Sequence, residues 1–179
     1  ILYLTGFLWD TESQKASVRH ALEMAENLPV KVALSLSDPF CVERHHQDFN
    51  ELIRSRVDLL FCNQEEAFTM METQVTQEAL AGLSENVETV VMTLGNRGSL
   101  ICNQGQIYYI DPIEVEVVDT TGAGDAYAAG FLYGFSHDQS IMNCGRIASV
   151  MAGTVIEQIG PRIETASMKT LKERLTNIP

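Results

Sequence analysis

A chain of 179 residues, 45% hydrophobic and 20% charged, is long and apolar enough to bury one sizeable core, which excludes a disordered segment. Its formal net charge of −12 argues against nucleic acid or an anionic membrane as the main partner, so a polyanionic ligand would have to be held by local features such as helix N-termini, a metal ion and a few cations. Cys41, Cys62, Cys102 and Cys144 lie far apart, with no Cys-x-x-Cys pair and no Cys/His grouping at zinc spacing, so they read as reduced, mostly buried thiols of a cytoplasmic protein.

Strand and helix patterns alternate from the first residue. Ile1–Thr5 reads as a buried strand; Gly6 and Thr5 interrupt the apolar run and no basic segment precedes it, so it is neither a membrane span nor a signal peptide. No methionine initiates the chain, which reads as part of something longer. Residues 12–28 put Val18, Ala21, Leu22, Ala25 and Leu28 on one helical face. Val30–Leu36 is a strand ended by Ser37-Asp38-Pro39, and Glu43–Ser55 is a helix with Phe49, Leu52 and Ile53 inward. His45 and His46 are adjacent rather than four apart and read as a solvated helix start, not a metal site.

Val57–Cys62 is a continuous apolar run, as expected of a strand covered on both faces. Asn63-Gln64-Glu65-Glu66 then opens a helix to about Met71, with Asn63 as N-cap and Glu66 at the third helical position, a reciprocal capping arrangement. Thr76–Ser84 is a further helix. Strands follow at Glu88–Leu94, Ser99–Cys102 and Gln106–Ile110, with Thr93-Leu94-Gly95-Asn96-Arg97-Gly98-Ser99 as a tight turn between the first two. Ile113–Val118 leads into a polar glycine turn, and helices occupy 123–136, about 139–157 and about 164–176. The fold class expected is α/β: three layers, a mostly parallel sheet flanked by helices, with ligands at the carboxyl ends of the strands, where Asp38, Asn63, Gly95 and Gly122 fall.

The glycine turn is the most specific feature. Asp119-Thr120-Thr121-Gly122-Ala123-Gly124-Asp125 is followed by small and apolar residues at helical spacing. Gly122 and Gly124 let the backbone turn and its amides approach a ligand, and the helix starting near Ala123 points unpaired N–H groups at that turn. Such a place binds anions, phosphate above all, and Asp125 in the first helical turn can take a proton from a hydroxyl held beside it. An ordinary glycine turn with an acidic first-turn residue remains the plain alternative. A dinucleotide fingerprint fails because Tyr127 stands at the third glycine position, and a Walker A loop lacks its Gly-Lys-Ser/Thr.

The whole heptapeptide resembles the signature of the ribokinase-like (PfkB) family of sugar and nucleoside kinases. The resemblance implies an ATP-dependent phosphotransferase acting on a primary hydroxyl, with Asp125 as base and Gly122, Ala123 and Gly124 as anion hole. It assigns Asn63 and Glu66 to an Asn-x-x-Glu motif, Glu66 acting on Mg2+ through water, and Thr93, Gly95 and Gly98 to a nucleotide loop. Ser149 and Ala152, with Ala148 and Gly153, form a small-residue face that would border the adenine or simply allow close helix packing. Some members bind a monovalent cation such as K+ here; Asp119 and Thr121, with the loop 158–162, would hold it, although Asp119 also reads as a turn acid bonding its own backbone.

Residues 34–49 and Ile159-Gly160-Pro161-Arg162 look most like the adenosine-kinase-like bacterial branch, so the expected partner is a small nucleoside or sugar, with a free sugar or a non-catalytic nucleotide-sensing role as alternatives and a homodimer left open. The resemblance covers residues 1–179 as the C-terminal portion of a single kinase domain. The family's N-terminal part, which grips the sugar hydroxyls and carries a β lid, is missing. The chain by itself is therefore expected to bind ATP weakly or not at all and to turn over no acceptor.

Overall fold

The computed structural model describes residues 1–178. Six strands, β1 (Leu2–Thr5), β2 (Val32–Ser35), β3 (Leu59–Asn63), β4 (Thr89–Thr93), β5 (Ser99–Asn103) and β6 (Gln106–Ile110), form one sheet in the order β1-β2-β3-β4-β5-β6. β1, β2 and β3 are parallel, with Leu4 opposite Leu34 and Leu34 opposite Leu60. The helices are α1 (Glu12–Ala25), α2 (Pro39–Ser55), α3 (Gln64–Met71), α4 (Thr76–Ser84), α5 (Ala123–Ser136), α6 (Ile141–Ile156) and α7 (Met168–Thr176). This is the mostly parallel, helix-flanked sheet that the alternating pattern predicts. Among the described residues no helix is long and apolar enough to cross a membrane.

The described residues divide into two compact units, 1–92 with 102–107, and 93–101 with 108–178. In the first unit, four of the five residues of β3 are buried, which is why its sequence is apolar without alternation. Leu34, Leu36, Phe49, Leu59 and Leu60 are almost wholly inaccessible, and burying each such side chain is worth about 2 kcal/mol. Trp9 packs edge-on against Phe49, with ring centroids 5.3 Å apart.

The boundaries of α1, α2 and α7 differ from expectation, α7 beginning at Met168 rather than near 164. α2 begins at Pro39, not Glu43: the Asp38 carboxylate accepts the Cys41 amide at 2.8 Å and Pro39 occupies the first turn, so Ser37-Asp38-Pro39 starts a helix as well as ending a strand. The backbone of α2 is then kinked at His45, whose φ and ψ are −122° and 23°. α1 stops at Ala25, leaving Leu28 56% exposed; only Val18 of its expected inward face is fully buried, with Ala21, Leu22 and Ala25 half-buried.

In the second unit α5 lies against α6. A Cβ on Gly130 would come within 2.8 Å of Ala148 Cα, and one on Gly134 within 3.1 Å of Cys144 Cα, so the small residues set the close approach of the two helices. Phe131 is buried completely beside them. Ser140 caps α6 by accepting the Asn143 amide at 3.2 Å. In α7 Leu171 is buried and Met168 is exposed.

Candidate functional site

The glycine turn is built within the second unit. Asp119 Oδ1 accepts from the Thr121 amide at 2.9 Å and from Thr121 Oγ1 at 2.7 Å, and its Oδ2 accepts from the Gly160 amide at 2.8 Å. The Thr121 hydroxyl first, then the two amides, holds the Asp119 carboxyl below its ordinary range. Asp119 is thus the self-bonding turn acid the residues suggest, and it also ties the loop at Gly160 to the turn. Gly122 caps α5 with φ +81°, a left-handed conformation that a side chain would strain, and a Cβ there would lie 2.5 Å from Pro161 Cβ. The Ala123 amide folds back to Thr120 O at 3.1 Å, and the helix proper closes with Ala126 N to Gly122 O at 2.9 Å. The amides of Gly124 and Asp125 have no acceptor within the helix. Asp125 is exposed in the first turn of α5.

This turn opens on a cavity of about 740 Å³. Of the residues expected at a ligand, the structure brings Thr93, Gly95, Gly98, Ala123, Gly124, Ser149 and Ala152 to its wall. Gly122, Asp125, Asp119 and Thr121 flank it without lining it. The segment Thr93–Ser99 leaves β4 as a single 3-10 turn at Gly95–Arg97, closed by Leu94 N to Gly98 O at 2.8 Å. Gly98 has φ +81°, and a Cβ would strike Ile110 O, so only glycine fits there.

The opposite wall comes from the irregular stretch before the glycine turn, including Ile113, Glu114, Val115 and Val117, and from Gly153 and Ile156 of α6. Ile113 packs where a side chain on Gly153 would be. Val118 N donates to Ile156 O at 2.8 Å, and Ser149 Oγ donates to Asp111 O at 3.3 Å, so the stretch is pinned along α6. The result is an apolar slot ending at glycine amides, suited to a ligand with a flat apolar part and an anionic part.

Sequence reasoning passed over Tyr127 except as a failed glycine. It lines the cavity, and its hydroxyl lies 2.6 Å from Ser99 Oγ and donates to Gly145 O at 3.5 Å. Burial pushes the phenol up to about 12. An aromatic residue two positions past Asp125, one turn into an apolar helix, was the available signal; its partner 28 residues earlier was not.

Within the first unit, Asn63 and Glu66 form the expected capping box. Asn63 Oδ1 accepts the Glu66 amide at 2.8 Å, while Glu66 Oε2 accepts the Asn63 amide at 2.9 Å and Oε1 accepts Asn63 Nδ2 at 2.6 Å. Glu66 is only 5% exposed. Burial pushes its carboxyl up to about 7, the Asn63 amide opposing and the charges of Asp38 and Glu65 adding to the rise. His45 and His46 are not a solvated helix start. They lie inside α2, both half-buried, His45 Nε2 being 3.2 Å from Asp10 Oδ1 and His46 Nε2 2.9 Å from Met70 O. All four cysteines are free and buried, as expected.

The profile of the pfkB family of carbohydrate kinases matches residues 1–167, and the chain belongs to that family. An adenosine kinase of Dictyostelium discoideum is 27% identical over 181 residues, covering 93% of this chain and 52% of the relative. Two solved structures superpose with a TM-score of 0.91. One is an adenosine kinase from Sinorhizobium meliloti, 38% identical and covering 96% of this chain and 53% of the other. The second is a probable sugar kinase from Rhizobium etli, 37% identical and covering 96% and 52%. The chain spans about half the length of these relatives.

Proposed function

We propose that the protein transfers the γ-phosphoryl group of ATP to a primary hydroxyl of a nucleoside, adenosine above all, or of a sugar. The observation that carries this reading is the Gly122–Asp125 turn opening on a slot whose other end is the Thr93–Gly98 loop, in a chain of the pfkB family. Asp125 takes the acceptor's hydroxyl proton; the new bond forms between that oxygen and the γ-phosphorus as the bond to the β–γ bridging oxygen breaks. The amides of the turn, Gly124 foremost, face the phosphoryl oxygens, and the slot between α6 and the 112–117 stretch takes the base past Ser149 and Ala152. Thr93, Gly95 and Gly98 meet the phosphates and ribose.

Bound Mg2+ would neutralise charge on the phosphates. Both oxygens of Glu66 accept bonds from Asn63, which suits a role through water better than direct ligation. K+ would lie beside Asp119 and Thr121, with carbonyls of the loop joined to Asp119 through Gly160. The likeness to an adenosine kinase supports the nucleoside, and that to a sugar kinase supports the alternative acceptor. Four free, buried thiols suit a reducing cytoplasmic setting.

Residues 1–179 would be the nucleotide and base side of one kinase domain, so that the 179-residue chain alone turns over no acceptor. The test is ADP release by the full-length polypeptide with Mg-ATP and adenosine, ribose or fructose in parallel. Turnover on adenosine alone supports the nucleoside reading, turnover on a free sugar alone replaces it, and nucleotide binding with no turnover on any acceptor refutes the transferase.

A further inference from the structure

A second cluster of chemically capable side chains lies in the first unit and takes no part in the phosphoryl transfer proposed above. Asp10 follows the single 3-10 turn Gly6–Trp9, and Cys41 and His45 stand four residues apart on α2, His45 at the kink of that helix. One carboxylate oxygen, Cys41 Sγ and one His45 ring nitrogen all lie within 4.8 Å of one another, Asp10 Oδ1 and His45 Nε2 being 3.2 Å apart. We propose that Asp10, Cys41 and His45 form a binding site for a divalent d-block cation of the Zn2+ class, with the fourth position open to water.

The donor set decides the class of ion. A thiolate, an imidazole and one carboxylate oxygen suit borderline-soft Zn2+ or Co2+, whereas Mg2+ takes oxygen ligands. With metal–ligand bonds of about 2.0–2.3 Å, ligand atoms of a tetrahedral site sit roughly 3.3–3.8 Å apart. The carboxylate–imidazole pair is already at that spacing, and the sulfur needs to close by at most about 1.5 Å, through side-chain adjustment of Asp10 and His45. Cys41 is fully buried and His45 half-buried, so two of the three ligands are held by the packing of α2. The ring of His45 also lies edge-on to Phe49, 6.0 Å between centroids.

Arg44 Nη2 donates to Asp10 Oδ1 at 2.9 Å. The metal therefore binds through a remaining carboxylate lone pair while Arg44 keeps the carboxylate oriented, as hydrogen-bonded carboxylate ligands commonly are. Binding exchanges the thiol proton of Cys41, released to solvent, for a sulfur–metal bond. The pairing is hidden in the sequence, where the His45-His46 doublet draws the eye and the Cys41–His45 spacing and the distant Asp10 do not.

The test uses the reduced full-length polypeptide under anaerobic conditions, titrated with Co2+ and then Zn2+. One equivalent of Co2+ should give a thiolate-to-cobalt charge-transfer band in the near ultraviolet and the intense visible bands of four-coordinate cobalt, both bleached by Zn2+ and untouched by equimolar Mg2+. Cys41→Ser should abolish the charge-transfer band, and Asp10→Asn and His45→Gln should each weaken Co2+ binding by roughly tenfold or more. The last two alter exposed or half-buried groups, and circular dichroism verifies their fold, so the test survives a Cys41→Ser variant that fails to fold. Absence of the band in the parent chain, displacement by Mg2+, or unchanged binding in folded Asp10→Asn and His45→Gln would overturn the site. No nucleotide enters the measurement, so its outcome is separate from that of the kinase reading.

Discussion

Glu66 offers a prediction whose size follows from its surroundings. Its carboxyl is 5% exposed, accepts two bonds from Asn63, and titrates near 7 in the folded protein against 4.5 for an ordinary glutamate. Between those two values the folded chain keeps a proton that the unfolded chain has released, so folding is favoured in full below pH 4.5 and the stabilisation is lost as pH rises through 7. At roughly 1.4 kcal/mol per pH unit, the gap amounts to about 3 kcal/mol. Glu66→Gln keeps the shape and removes the titration, so the fall in stability from pH 5 to pH 8 should be smaller in the variant than in the parent by about that amount. Urea unfolding followed by tryptophan fluorescence is suited to the measurement, because the single tryptophan, Trp9, is buried in the same unit as Glu66. Comparing parent and variant cancels every pH effect that the two proteins share. Parallel loss of stability in the two proteins would refute the argument that burial dominates this carboxyl.

Asp125→Asn in the full-length polypeptide should lower kcat by roughly 10²–10⁴ while leaving ATP affinity in place, read by steady-state ADP release and by calorimetry; full activity would remove Asp125 as base. Gly122→Ala forces a side chain into the left-handed region and against Pro161, and should cost about 1–3 kcal/mol in a thermal melt. Tyr127→Phe leaves the fully buried Ser99 hydroxyl without its partner and should cost about 1–2 kcal/mol, part of it recovered in the double variant with Ser99→Ala; strictly additive costs would deny the coupling. Phe49→Ala, which empties the wholly buried position under Trp9, should cost about 3–5 kcal/mol by chemical denaturation.

The parts of the protein legible in its sequence are those whose bonds close within a few residues. The Asn63–Glu66 box spans three positions and the Asp119–Thr121 turn two, so residue type at fixed spacing nearly dictates them. The start of α5 at Ala123 follows from Gly122, and the run Leu59–Cys62 reads as a buried strand because both its faces must be covered. The start of α2 was equally local, since Asp38-Pro39 is a cap and first-turn pair, but the same residues also end a strand and only the folded chain shows both uses. Tertiary structure decided what depends on groups far apart in the chain. It set the phenol of Tyr127 beside Ser99 and pinned the 111–119 stretch along α6 to make the wall of the slot. It also brought Asp10 to His45 across 35 positions. Such contacts are fixed by how helices and strands pack, and packing depends on the volumes of the whole core, which no local pattern of residues records.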